Sequence, residues 1–243
     1  MDRLTTLMDR FQLAVRAAGP GEANLIALAD AAGAPERILY CTRGALPAPD
    51  PGAVMWAARV DWSGHGNPFL AALPSLVDYR IAGNAETQGL VTLMRQEAEG
   101  GHCGAQSVIN RLGEVLMVRL LRNQIQKGAT EPGLLAGLAD PRLSRAIVAM
   151  HDHPGRRWSN ADLAQQAGLS LSRFAELFAA EVGETPMSYL RRWRLILAHQ
   201  DLRRGDRVEA VARRYAYAGP EGFTRAFRKA YGVAPVSLRA AAA

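Results

Sequence analysis

Between Ser159 and Pro235 the chain is written twice, and this repeat limits what it can fold into more than any other feature. The first copy carries Leu163-Ala164, Gly168, Phe174, Phe178, Gly183 and Pro186. The second carries Val211-Ala212, Ala216, Phe223, Phe227, Gly232 and Pro235. Positions before the turn are offset by 48 and those after it by 49, so one residue is added at the turn and the register is otherwise kept. Sustained self-similarity of this kind marks a repeated supersecondary unit.

Each copy reads as a short helix, a tight turn and a second helix. In the first, Ser159 is an N-cap with Asp162 three residues on, and Leu163, Ala164 and Ala167 form the inner face. Gly168-Leu169 is the turn, and Ser170 caps a helix over about 171–182. In that helix Phe174, Leu177 and Phe178 recur at the spacing of one helical face. In the second copy Asp206 is the expected cap, with Glu209 three residues on, and Val208, Val211 and Ala212 face inward. Gly219-Pro220-Glu221 starts a helix over about 220–231, with proline at its first position and an acid near its positive end. Between the copies, Met187 to Arg203 has helical period, with Met187, Leu190, Leu195, Ala198 and Leu202 on its apolar face. The expected units are 159–183 and 206–232, joined by a rod-like helix over 186–204.

Helix, tight turn and helix, with a basic outer face on the second helix, is the layout of helix-turn-helix DNA readers. Two copies joined by one helix resemble the DNA-binding domain of the AraC/XylS family of bacterial transcription regulators. The resemblance is carried by Val211-Ala212, Tyr215-Ala216-Tyr217, Phe223, Ala226-Phe227-Arg228-Lys229, Gly232, Pro235 and Leu238-Arg239. In the joining helix it is carried by Pro186, Tyr189-Leu190, Arg194-Leu195 and Ala198. It covers roughly residues 141–239. The family often has Gly at the position of Ala216 and Ser at that of Gly219. Gly219 still caps, whereas Ala216 asks for a turn without a positive φ.

Charge is placed unevenly along the chain. Residues 1–140 hold 12 Lys and Arg against 14 Asp and Glu, and residues 141–243 hold 17 against 9. A net excess of eight positive charges in the second segment points to a polyanion partner there and a different task for the first. Exposed side chains on the first turns of each second helix are the candidate base readers, with basic neighbours on phosphates. In the first copy these are Ser172, Arg173, Ala175 and Glu176. Arg173 can donate twice to guanine, and Glu176 either accepts from cytosine or repels the backbone. In the second copy they are Glu221, Thr224, Arg225 and Arg228, with Lys229 on a phosphate. Glu176 corresponds to Arg225, and Ala179-Ala180 to Arg228-Lys229, so the second copy is expected to carry more of the electrostatic affinity. The plain alternative for any one of them is a solvated helix face. The four phenylalanines fall on the inner stripes and are expected in the core.

The chain as a whole is expected to be α+β. Residues 1–80 read as a small β module with a short helix at 2–10 and strands at 11–17, 24–29, 36–42 and 53–62, broken by Gly- and Pro-rich turns. The segment 57–62, then Gly66-Asn67-Pro68-Phe69-Leu70, Leu73 and Pro74, resembles the cupin-type sensor domain of some AraC-family regulators, as does Asp2-Arg3-Leu4. Too few strands are present for a full barrel, and no cluster of histidines with a carboxylate could hold a cupin metal. A reduced barrel without metal is expected. Residues 81–130 read as a helical segment with helices at 85–99 and 104–127. The second has a wide apolar surface, and its residues Ile109, Leu112, Leu116 and Leu120 are expected to pair with a second copy in a homodimer. The alternative is burial within one chain. Residues 128–140 read as a linker with a short Leu134-Leu135-Leu138 contact, and Leu143 to His151 as the first helix of the DNA-binding domain at 141–240.

Other chemistry is weakly signalled. His151-Asp152-His153 has no further metal ligands near it in sequence and is read as a helix end. Cys103, beside His102 and ahead of a helix, is a candidate redox-active thiol, and Cys41 is read as core. His65 lies in a loop with no visible partner. No phosphate loop, nucleophile elbow or paired catalytic carboxylates are present, so neither enzyme activity nor a cofactor is expected. A fused DNA-repair alkyl transferase would need more cysteines than two. No apolar run approaches the length of a membrane span. The expectation is a regulator in a bacterial cytoplasm, associated with the nucleoid, with double-stranded promoter DNA as its partner. The resemblance also implies a homodimer and RNA polymerase as a protein partner, and leaves any small-molecule effector open. A regulator acting through a redox-active Cys, and an architectural DNA binder without sequence preference, are the alternatives.

Overall fold

The computed structural model describes residues 4–62, 67–128 and 132–240, which form two compact units. One comprises residues 11–62 and 68–128. The other comprises 4–10, 67 and 132–240. The helical segment is therefore part of the β unit, and residues 4–10 are not.

In the β unit, β1 (Leu13–Ala17), β2 (Leu25–Ala29), β3 (Pro35–Cys41), β4 (Val54–Trp62) and β5 (Leu76–Arg80) form one antiparallel sheet in the order β1-β4-β2-β3-β5. Four strands agree with the expected positions. The fifth, β5, was not anticipated. Val77 and Tyr79 are buried while Asp78 between them is bound by Arg37 of β3, so a neighbouring strand stabilises a short segment with a carboxylate at its centre. Among the described residues the sheet is open, with β1 and β5 at its edges, and does not close into a barrel.

A short helix, α2 (Pro68–Ala72), precedes β5, and two longer ones follow: α3 (Ala85–Gly100), capped by Asn84, and α4 (Ala105–Lys127). Helix α4 packs on β1 and on α3. At Gly113 a Cβ would lie 2.5 Å from the Val15 side chain, so the close approach to β1 requires glycine. The Val15 amide donates to Asn110 Oδ1 (2.7 Å) and Gln106 Nε2 donates to the Val15 carbonyl (2.7 Å), which satisfies edge-strand groups otherwise open to pairing. At its other end Lys127 Nζ donates to the Asp78 carbonyl of β5 (3.2 Å).

This packing corrects the expected dimer surface. Ile109, Leu116 and Leu120 are 3%, 0% and 0% exposed within the single chain. The apolar surface of α4 is wide because two neighbours of the same chain, β1 and α3, cover it. Leu112 is half-buried.

The second unit is helical. It contains α1 (Thr5–Arg10), α5 (Leu134–Ala139), α6 (Pro141–Asp152), α7 (Asn160–Ala167), α8 (Leu171–Val182), α9 (Pro186–Arg203), α10 (Val208–Arg214), α11 (Pro220–Tyr231) and α12 (Pro235–Ala240). Helix α1 lies against α6, where Thr6 Oγ1 donates to Asp152 Oδ1 (2.5 Å), and Gln200 Nε2 of α9 donates to the Arg10 carbonyl (3.2 Å). The expected linker contains a buried helix instead. Leu134, Leu135 and Leu138 of α5 pack it against α6 and α8. Helix α9 is the centre of the unit. Tyr189, Trp193, Ile196 and Leu197 are buried alongside Leu190, Leu195, Ala198 and Leu202, because α7, α8, α10 and α12 all contact it. Met187 is half-buried. Phe174, Phe178, Phe223 and Phe227 are fully buried, as the inner-stripe reading expected.

Candidate nucleic-acid interface

The first helix-turn-helix unit is set by local chemistry. Ser159 Oγ accepts from the Asp162 amide (3.1 Å) and the Asp162 carboxylate accepts from the Ser159 amide (2.9 Å), a reciprocal capping box. At the other end of α7, Arg145 of α6 donates to the carbonyls of Gln166 (3.0 Å) and Ala167 (2.5 Å). Gly168 follows with φ +68, and the Leu169 amide closes the turn on the Ala164 carbonyl (3.0 Å). Ser170 then caps α8. Ser172, Arg173 and Glu176 are exposed on α8 and Ala175 is half-buried. The Arg173 guanidinium lies 3.7 Å from the Glu176 carboxylate, with both side chains more than half exposed, a pairing that adds little stability.

The second unit departs from expectation at its cap and its turn. Arg207, not Asp206, occupies the N-cap of α10, and no side chain caps it. Asp206 instead accepts from Arg214 (2.6 Å). Arg214 also donates to Asp201, a carboxylate only 3% exposed near the end of α9, which accepts from the Tyr215 hydroxyl too (2.6 Å). These bonds, to Asp206 first and then Asp201, hold the Arg214 guanidinium well above its usual range. Burial and then the bond to Asp201 push the Tyr215 hydroxyl up. The cap is thus exchanged for a network joining α9 to α10. The turn does take a positive φ: Ala216 has φ +61. The Tyr217 amide bonds the Ala212 carbonyl at 3.0 Å, the same closure as in the first copy, and that bond imposes the left-handed residue.

Helix α11 starts after an extended Gly219 with Pro220 in its first turn. Pro220, Glu221, Thr224, Arg225 and Arg228 line one open groove of about 480 Å³. All four base-reading candidates of the second copy thus share one face, at steps of three to four residues. Lys229 is exposed beside them. The acid in the first turn and the bases in the last both complement the helix dipole.

No local pattern marks Arg145, Asp201 or Arg214 as positioning residues, because their partners are fixed only by packing. Arg194 belongs with them: it donates from α9 to the carbonyls of Pro154 and Arg156 (2.7 Å each) in the connection between α6 and α7.

The remaining candidates are placed elsewhere. His151 is buried, bonded to the Tyr189 hydroxyl at 2.6 Å and tilted against Trp193 at 4.3 Å. Burial, then Arg192, push its pKa down to about 3, so it is a neutral core residue. No group of three potential metal ligands occurs among the described residues. Cys103 is an exposed free thiol ahead of α4, and Cys41 is a buried one donating to the Arg43 carbonyl (3.1 Å). His65, with Ser63, Gly64 and Gly66, lies outside the described residues, as do Asp2 and Arg3. No helix of the described residues is long and apolar enough to cross a membrane.

Comparison with known proteins agrees with this division. A helix-turn-helix domain family matches residues 163–241 and a cupin family matches residues 11–126, the latter nearly coincident with the β unit. The chain is 35% identical over 159 residues to a putative AraC-like transcription regulator of Streptomyces lividans, covering 64% of this chain and 52% of that protein. It is 30% identical over 179 residues to the transcriptional regulator AlkR of Acinetobacter baylyi, covering 72% and 58%. The chain thus spans about half the length of these curated relatives. Among solved structures, the DNA-binding domain of AdpA in complex with a target DNA covers 42% of this chain and 92% of that one, at 27% identity and a TM-score of 0.40. ToxT of Vibrio cholerae covers 96% and 99%, at 11% identity and a TM-score of 0.45.

Proposed function

From the premise that this chain is an AraC-family protein, an AraC-type helix-turn-helix domain following a cupin domain, we propose that it is a cytoplasmic transcription regulator that reads promoter DNA. Its recognition helices are α8 and α11, entering successive major grooves on one face of the duplex, about 34 Å apart. The observation that carries this reading is the face of α11. Glu221, Thr224, Arg225 and Arg228 share one groove on a buried phenylalanine scaffold, with Lys229 beside them. Arginine donates in a fork that matches guanine, and the Lys229 ammonium is placed to meet a phosphate. The protein is not an enzyme, and its β unit serves sensing or assembly.

Homodimerisation is part of this proposal, on a shifted surface. Val108 and Val115 of α4 are 37% and 48% exposed, Leu93 of α3 is 42% exposed, and Leu112 lies between the two valines at helical spacing. RNA polymerase is the protein partner such a regulator addresses from its promoter.

The test is to incubate the purified protein with sheared genomic DNA at physiological salt and to sequence what is retained. A motif of two blocks about one helical turn apart is expected. Enrichment without a motif and with steep salt dependence would instead establish an architectural binder.

A further inference from the structure

Helices α8 and α11 occupy equivalent places in the two copies but offer opposite chemistry. At the constant offset of 49, Leu171, Ser172, Ala175, Glu176, Ala179 and Ala180 stand where α11 has Pro220, Glu221, Thr224, Arg225, Arg228 and Lys229. Every basic reader of α11 is replaced on α8 by a methyl group or a carboxylate. The remaining cation, Arg173, faces Glu176 at 3.7 Å. Helix α8 therefore brings no net positive charge to a phosphate backbone, and its one guanidinium has a carboxylate beside it.

What it does present is an apolar row. Leu171 is 52% exposed, one of the few large apolar side chains left open among the described residues. Ala175 and the exposed Ala179 follow it at steps of four, on one side of the helix. Ser172 and the alanines are short, so the helix can lie close to the groove floor. In the major groove the one apolar feature of the base edges is the C5-methyl group of thymine. We propose that the first unit reads thymine by that methyl group, with Leu171 and Ala175 as the contacting side chains, while the second unit supplies the polar and ionic readout. This rests on the DNA-reading function proposed above and names what one half of the site recognises.

The test begins with a duplex selected by the full-length protein from a random-sequence library. The block whose base preference changes in R225A is assigned to α11, and the other block to α8. Deoxyuridine, which lacks only the methyl group, then replaces each thymine, one block at a time. In the α8 block this is expected to weaken binding about fourfold per contacted methyl, and in the α11 block to change little. The L171A variant should bind the thymine duplex more weakly and lose its sensitivity to deoxyuridine at the thymine that Leu171 contacts, keeping only that due to Ala175. Indifference of the native protein to deoxyuridine in the α8 block overturns the inference, as does an L171A variant whose sensitivity is unchanged at every thymine of that block. If a two-block site is selected but is insensitive to deoxyuridine, only this inference fails. If no duplex is selected at all, the DNA-reading function fails with it.

Discussion

Ala216 carries a methyl group where its counterpart Gly168 has none, and both residues sit at φ above +60°. A left-handed conformation costs an L-residue about 1–2 kcal/mol, part of which the greater chain entropy of glycine returns. A216G is therefore expected to stabilise the helical unit by about 0.5–1 kcal/mol, seen as a rise of several degrees in its thermal midpoint. An unchanged or lower midpoint would mean that the methyl group makes a compensating contact. The proposed base readers differ in a way that mutation can also expose. Arg225 lines the α11 groove, whereas Arg173 already faces Glu176. R225A should weaken DNA binding about tenfold or more and flatten its salt dependence, and R173A should do so less. Equal losses in a filter-binding titration would count against the asymmetry of the two copies. At this scale much was legible. The phenylalanines, the Ser159 capping box and the α11 face are local patterns. The sign of φ at Ala216 was not, because a backbone bond from Tyr217 to Ala212 decides it.

Elements were legible where their periodicity is their own and obscure where neighbours make them. Helices α7, α8, α10 and α11 announce themselves by repeat and stripe. Strand β5 does not, since Asp78 interrupts it and Arg37 on another strand neutralises the interruption. The period of α9 marks one apolar face, yet four helices surround it. Its end carries the joint to the second unit. Replacing Asp201 by Ala leaves the Tyr215 hydroxyl and one face of Arg214 without their acceptor. Arg214 is about half exposed and keeps Asp206, so the expected loss is nearer 2 kcal/mol than that of a fully buried pair. Urea unfolding should show this loss for D201A, together with weaker DNA binding as α10 and α11 lose their anchor. The joint between α6 and α9 predicts a pH effect. His151 stays neutral in the folded state down to about pH 3, while the unfolded residue takes a proton near 6.5. Between those values the unfolded state binds more protons, so stability falls as pH is lowered. From pH 7 to pH 5 this residue should contribute a loss of about 2 kcal/mol, and H151Q should show a correspondingly shallower pH dependence in denaturant titrations.

At the scale of the whole molecule, assembly turns on what covers α4. A stripe of apolar residues on a long helix says that much of it is covered, without saying by whom. Here β1 and α3 cover Ile109, Leu116 and Leu120, and two polar residues of the same helix, Gln106 and Asn110, cap the edge strand. What remains for a second copy is the row Val108, Leu112 and Val115, with Leu93 exposed on α3. Two linked chains would hold four recognition helices near one stretch of DNA, so that binding of one chain raises the local concentration of the other. V115D places a charge in that row without touching the core. It is expected to sediment at the 26.2 kDa mass of one chain where the native protein sediments at twice that. It should still bind a single half-site, and lose only the steepness of binding to a paired one. A native protein that sediments as a single chain at micromolar concentration, or a V115D variant that still pairs, would remove this face from the assembly and leave each chain to read its promoter alone.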